Sequence, residues 1–193
     1  AKRIYLMTQI QTHSKEKSQK DNINIDNKTG AVETQPNLPI RIENLNFHYA
    51  THRVLKDISI EFKQKKITAI IGPSGSGKSH LLWAIGDGIQ VTSPNRDVRV
   101  VTAETFPVGP LPSGWDDLLM RASCLLIDDV DRILLRPDSV EELSKLVGWA
   151  IDVGAQLVMA SSRPLASDSL PIGRLRQAAA GAVTVKLDAP DAD

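Results

Sequence analysis

The chain has 193 residues, 41% of them hydrophobic and 24% charged, and its 23 basic residues balance its 23 acidic residues. This length predicts one globular domain with room for an appendage. The balanced charge disfavours a dedicated nucleic-acid binder, because phosphate contacts need a basic surplus. The single cysteine, Cys124, excludes an intrachain disulfide and a cysteine-based zinc site. No apolar run approaches the roughly 18 residues of a membrane helix, so a cytoplasmic location is the default expectation.

The amino-terminal part of the chain divides into a polar segment and a β element. Residues 1–38 are predicted to form a flexible polar tail, because they carry few large apolar side chains that could offset the entropy of ordering. A single domain is predicted over residues 39–193. Its first two strands, near Ile40–Phe47 and Val54–Phe62, are close enough in sequence to form an antiparallel pair.

Strand and helix patterns alternate from residue 66 onward. Buried strands are predicted at Ile67–Ile71, Val98–Thr102, Cys124–Ile127, Gln156–Ala160 and Ala182–Leu187. Helices are predicted between them, at Lys78–Ile89, near Trp115, after residue 139 and over residues 170–180. We interpret Ser139-x-x-Glu142 as a capping box that opens the third helix. The alternation predicts an α/β fold with a central parallel sheet and an antiparallel β element in front.

The segment Gly72–Ser79 matches the P-loop pattern G-x-x-x-x-G-K-[ST], with a buried strand before it and a helix after it. Glycines let such a loop turn its backbone N–H groups onto phosphate oxygens, and the helix N-terminus adds positive charge. Lys78 is predicted to reach the β- and γ-phosphates, and the Ser79 hydroxyl to ligate Mg²⁺. The fold is therefore predicted to be a three-layer P-loop NTPase that binds ATP with Mg²⁺. The nucleotide-binding set is predicted to comprise Gly72, Pro73, Ser74, Gly75, Ser76, Gly77, Lys78, Ser79 and His80.

The apolar strand Leu125–Ile127 ends in two acids, which is typical of a Walker B segment. Such a strand carries its acids to the carboxyl edge of the sheet, where ligands bind in these folds. Asp128 is predicted to hold Mg²⁺, and Asp129 to orient or deprotonate the attacking water. The plainer alternative is a pair of solvated acids at a strand end.

Three further positions are candidates with plainer alternatives. Ser162, after the strand at 156–160, is predicted to contact the γ-phosphate or the water, or else to form a turn. Arg174 is predicted to face a phosphate or a neighbouring subunit, or else solvent. Tyr49 is predicted to stack on the base, or else to cap the β element.

The front of the chain resembles an ABC-transporter ATPase of the phosphate-importer kind. The resemblance covers residues 39–79 and rests on Ile40–Tyr49, Val54–Ser59 and Ile67–Gly75. It implies that Tyr49 occupies the adenine-stacking position. The L-S-G-G-Q signature that completes such a site from a second protomer is absent from this sequence.

The back of the chain, residues 80–193 together with the loop, resembles the AAA+ core of a DnaA-type replication initiator. The resemblance rests on the segments 75–82, 125–130, 157–164, 173–176 and 183–191. It implies that Ser162 falls on the sensor-1 position and that Arg174 matches the first arginine of the intersubunit helix. The arginine-finger position is then Ala178.

Two resemblances in one chain indicate an engineered chimera joined near residues 76–80. The predicted function is ATP·Mg²⁺ binding with weak or absent hydrolysis, because the composite elements that speed hydrolysis are incomplete. Oligomerisation is possible without completing such a site. The alternatives are a folded scaffold with no biological task, or an ATPase subunit of an importer or of a replication protein.

Overall fold

The computed structural model describes residues 28–33, 40–49, 52–63, 66–165, 170 and 173–189. The strands are β1 (Lys28–Glu33), β2 (Ile40–Tyr49), β3 (His52–Phe62), β4 (Ile67–Ile71), β5 (Val98–Val101), β6 (Cys124–Ile127), β7 (Gln156–Ser161) and β8 (Val183–Lys186). The helices are α1 (Lys78–Thr92), α2 (Trp115–Met120), α3 (Val130–Leu134), α4 (Pro137–Asp152) and α5 (Arg174–Ala180). None of these helices has the length and apolar character needed to cross a bilayer.

The central sheet contains five strands in the order β5-β6-β7-β4-β8. Every neighbouring pair is parallel, as the alternation of strands and helices predicted. The inner strands are buried on both faces, which explains their nearly continuous apolar sequences. Because β4 and β7 are neighbours, the loops that follow them leave the sheet side by side at its carboxyl edge.

Successive side chains along the strands point to opposite faces of the sheet and contribute to two separate hydrophobic cores. Leu125, Ile127 and Met159 point to the face covered by α3, α4 and α5. Leu126 and Val158 point to the opposite face, where they pack against α1. The predicted three-layer architecture is therefore confirmed.

The antiparallel β element packs against α1 and shares a core with side chains of the central sheet. Ile40, Ile42 and Phe62 are at most 1% exposed and share a core with Leu81 and Ile85 of α1. The hydrophobic burial of these side chains stabilises the element against the outer side of the helix layer.

The antiparallel sheet has three strands, in the order β1-β2-β3. β1 pairs with β2 and lies inside the segment that was predicted to be a tail, so that prediction missed a strand. Without β1, β2 would be an edge strand with a row of unpaired backbone donors and acceptors, and pairing with such a row does not require large apolar side chains. The rest of the predicted tail lies outside the described residues.

The amino end of α4 corrects the capping-box prediction. The helix begins at Pro137, whose fixed φ suits the first turn, and its N-cap is Arg136. Ser139 therefore lies inside the helix and donates to Pro107 O (3.2 Å), while Glu142 accepts from Leu111 N–H (3.1 Å). These two side chains fasten the loop after β5 to α4.

Candidate nucleotide-binding site

The loop Gly72–Ser79 connects the carboxyl end of β4 to the amino end of α1. Gly75 and Gly77 have φ values of 83° and 85°, a backbone region that side-chain-bearing residues rarely adopt. Gly77 is the N-cap of α1, so the free N–H groups of the first helical turn face the loop. A helix start of this kind favours a bound anion.

Gly72 is the tightest point of the loop. A Cβ atom at this position would lie 2.6 Å from Ser76 Oγ and 2.7 Å from the carbonyl oxygen of Leu187. The Gly72 N–H donates to Ser161 O at the end of β7 (3.3 Å). Only glycine fits here without a shift, because the backbone of the segment after β8 lies against the loop.

Lys78 extends across the loop that it terminates. Its side chain is largely buried, and Nζ donates to Pro73 O (2.8 Å). An ammonium group has three N–H donors, so this contact does not exhaust its capacity. Inside the same loop, the buried Ser76 Oγ has no hydrogen-bond partner among the residues that the structure describes. The loop thus concentrates donors where phosphate oxygens would bind.

Asp128 follows β6 at the same edge of the sheet and is 5% exposed. Its N–H donates to Val101 O (2.8 Å), and its Oδ1 accepts from Asp129 N–H (2.9 Å). Asp129 caps α3 in the left-handed region, with φ 52° and ψ 42°. The two acids are therefore held by different constraints, Asp128 by burial and Asp129 by an uncommon backbone conformation.

The Asp129 carboxylate is paired within the chain. Arg132 donates from NH1 to Asp129 Oδ2 at 3.0 Å, and the side chains are 52% and 35% exposed. This ion pair was not predicted from the sequence, although an arginine three residues after an acid is a recognisable helical spacing.

Ser162, predicted to contact the γ-phosphate or water, is bound to Asp131. Its N–H donates to Asp131 Oδ1 (3.0 Å), and its hydroxyl donates to Oδ2. Burial raises the pKa of Asp131, but hydrogen bonds from Ser162 and Ser161 outweigh burial and leave that pKa below its ordinary value. Asp131 was not predicted to be a site residue, because its contact with Ser162 joins segments that are 31 residues apart in the sequence.

The strand order brings these groups to one edge. β7 lies between β4 and β6, so Ser162 follows the strand that separates the loop from Asp128. Ser79 and His80 belong to the first turn of α1 at that edge. The structure thus gathers most of the predicted site residues.

Arg174 is not among them. It begins α5, pairs with Asp152 (3.1 Å) at the end of α4, and lines a cavity of about 620 Å³ with Lys66 and Ile67. Those residues mark the amino end of β4, opposite the loop, so Arg174 cannot contact a phosphate bound by its own chain. The packing of α5 on α4 places the Arg174 side chain beside Asp152.

Two other predictions have different outcomes. Tyr49 ends β2 with its backbone paired to His52, and its side chain lies outside the described part of the structure. Ala178, at the arginine-finger position, is 1% exposed and belongs to the core between α4, α5 and the sheet. No functional group is presented at that position.

The donors at the edge suit a magnesium ion that is bound chiefly by phosphate oxygens. Such an ion needs one or two protein oxygens, and Asp128 and Ser79 offer a carboxylate and a hydroxyl. Among the described residues, no cluster of three His, Cys, Asp or Glu side chains could hold a metal by itself. The donor set is therefore compatible with Mg²⁺ that arrives with a nucleotide.

Known proteins match this chain in parts. A family model described as an AAA domain matches residues 39–97, from β2 across the loop to the segment before β5. The sulfate/thiosulfate import ATP-binding protein CysA of Mannheimia succiniciproducens is 39% identical over 77 residues, which are 37% of this chain and 22% of that protein.

Solved structures resemble a larger part of the chain. Domain III of the Thermotoga maritima replication initiation protein DnaA superimposes with a TM-score of 0.55 and 28% identity, over 65% of this chain and 55% of that one. A dimeric bacterial ABC transporter cassette gives 0.50 and 14%, over 77% and 94%. This chain has a P-loop NTPase fold. It spans less than two thirds of the length of CysA and of the DnaA domain.

Proposed function

We propose that this chain binds ATP together with Mg²⁺ at the loop Gly72–Ser79 and hydrolyses it slowly or not at all. The observation that carries the proposal is the formed loop itself. Two glycines in the left-handed region, a buried lysine that extends across the loop, and a serine hydroxyl without a partner among the described residues all belong to one loop at a helix N-terminus. A polyanionic triphosphate is the ligand that such a set of donors favours.

Different groups of the protein would bind the phosphates and the metal ion. The backbone N–H groups of Gly75–Lys78 and the Lys78 ammonium would bind phosphate oxygens, while Ser79 and Asp128 would orient the ion. Mg²⁺, when bound, neutralises charge on the β- and γ-phosphates. The name of the CysA relative supports ATP as the nucleotide.

Slow hydrolysis follows from what surrounds the predicted catalytic groups. Asp129 is engaged by Arg132, and Ser162 is engaged by Asp131. A buried alanine stands where the DnaA resemblance places an arginine finger. Lack of such an arginine reduces phosphoryl-transfer rates by about 10³- to 10⁵-fold in enzymes that use one.

The chimera remains part of the proposal. An ABC-type import protein matches part of the sequence, and a DnaA domain superimposes on about two thirds of the chain. A junction near residues 76–80 would fall inside the loop that both families share. The packing of Ile40 and Phe62 on α1 supports a front β element that folds with the rest of the domain.

The test is isothermal titration calorimetry of ATP, ADP and GTP with Mg²⁺, combined with a phosphate-release assay. The parent is compared with Lys78→Ala and with Lys63→Ala, a control at an exposed lysine after β3. We expect ATP binding by the parent and by Lys63→Ala, loss of binding in Lys78→Ala, and little phosphate release. A folded parent that binds no nucleotide would leave only the scaffold alternative.

A further inference from the structure

Arg132 lies between two carboxylates at the carboxyl edge of the sheet. Its NH1 is 3.0 Å from Asp129 Oδ2 and 3.7 Å from Glu104 Oε1. The shorter contact is a hydrogen-bonded ion pair, and the longer one is an ion pair only. The arginine is therefore shared, with Asp129 as its nearer partner.

Asp129 is held at the start of α3 by its backbone. It adopts the left-handed conformation, and its N–H donates to Asp128 Oδ1. Arg132 follows three residues later, in the first turn of α3, and so meets the Asp129 carboxylate directly. The pairing is a consequence of the local fold and does not need a distant element.

The backbone at Glu104 is ordered by a turn, while its side chain is 69% exposed. Glu104 lies in the turn after β5, where Thr102 N–H donates to Thr105 Oγ1 (3.0 Å) and Phe106 N–H donates to Thr102 O (2.8 Å). Two carboxylates thus compete for one guanidinium. Removal of either carboxylate increases the fraction of time for which Arg132 pairs with the other.

We propose that Arg132 is a positioning residue that occupies the Asp129 carboxylate and thereby slows the hydrolysis of bound ATP. This inference rests on the proposed function. In hydrolysis, the oxygen of water forms a bond to the γ-phosphorus and the bond to the β–γ bridging oxygen breaks. The proton of the water passes to Asp129 and then to the released phosphate. A guanidinium that donates to Oδ2 competes with the water for this acceptor.

The test is single-turnover and steady-state hydrolysis of ATP·Mg²⁺ by the full chain and its variants. Exposed ion pairs shift equilibria by up to about fivefold, so Arg132→Gln should raise kcat about two- to fivefold. KM and the dissociation constant for ATP should stay unchanged. Arg132→Lys, which keeps a cation, should stay near the parental rate.

Two further variants make the expectation directional. Glu104→Gln removes the competing carboxylate, so it should lower kcat. In an Asp129→Asn background, Arg132→Gln should no longer raise the rate, which a double-mutant cycle quantifies. Arg41→Gln is the matched control, because Arg41 forms a similarly exposed ion pair with Glu61 in the antiparallel sheet and should leave the rate unchanged.

The outcomes separate this inference from the proposed function. ATP binding by the parent with an unchanged or lower rate in Arg132→Gln overturns the role of Arg132 alone. A rise that persists in the Asp129→Asn background also overturns it. Failure of the parent to bind ATP overturns the proposed function and this inference with it.

Discussion

Replacing Gly72 with alanine is expected to damage both the fold and the phosphate loop. The added Cβ would lie 2.6 Å from Ser76 Oγ, a side-chain atom that can rotate away. It would also lie 2.7 Å from Leu187 O, which is backbone. Leu187 is held in turn by its N–H bond to Ile71 O at 2.7 Å. The second clash can be relieved only by moving the loop or the segment after β8.

The magnitude follows from the nature of that clash. Inserting a methyl group into a well-packed interior costs about 1–3 kcal/mol, and a contact with backbone favours the upper part of this range. We expect Gly72→Ala to lose about 2–3 kcal/mol of unfolding free energy. The affinity for ATP should fall by about tenfold or more, which corresponds to about 1.4 kcal/mol.

Urea unfolding and ATP titration measure the two effects separately. Gly109→Ala is the control, because Gly109 has φ +88° and an added Cβ would meet none of the described residues beyond its chain neighbours within 4 Å. It should show only the roughly 1–2 kcal/mol of a left-handed backbone, with no loss of ATP affinity. A Gly72→Ala variant with parental stability and parental affinity would show that the close contact with Leu187 O does not constrain the loop.

Two predictions concern titratable groups. Burial, slightly offset by the charge of Arg96, raises the pKa of the Cys124 thiol to about 12, so it should not react with an aromatic disulfide reagent at pH 8 until urea unfolds the chain. Because this pKa is raised in the folded state, its stabilising contribution is present below pH 9 and is lost as the pH rises towards 12; Cys124→Ala should remove that alkaline loss. The pKa of Asp131 is lowered in the folded state, so its contribution is present at pH 5 and is lost as the pH falls through the lowered value. The urea midpoints of the parent and of Asp131→Asn should therefore differ at pH 5 and converge on acidification, and a constant difference would contradict the Ser162 contact.

The sequence predicted the features that depend on local pattern. The apolar runs at Ile67–Ile71 and Cys124–Ile127 predicted strands buried on both faces, because helices cover both faces of a parallel sheet. The glycines of the P-loop pattern predicted a tightly turned backbone, because glycine permits the positive φ values that Gly75 and Gly77 adopt.

The features that the sequence did not predict depend on packing between distant segments. Ser139 and Glu142 have the spacing of a capping box, but Pro137 starts the helix earlier and the loop after β5 takes up both side chains. The engagement of Ser162 by Asp131 depends on how α3 lies against the end of β7. Neither contact is encoded in a spacing.

The position of Arg174 illustrates the same limit. An arginine on a late helix can face either edge of the sheet, and sequence does not set the choice. The packing of α5 on α4 placed it beside Asp152, away from the loop. The resemblance that suggested a role between subunits is still a prediction.

Amide hydrogen exchange with and without ATP·Mg²⁺ tests most directly where the nucleotide binds. We expect peptides that cover Gly72–Leu82 to gain protection, and those around Asp128 to gain less. Peptides around Asp152 and Arg174, at the opposite edge, should be unchanged. Protection at Asp152 and Arg174 with none at Gly72–Leu82 would place the nucleotide at the wrong edge of the sheet and contradict the account.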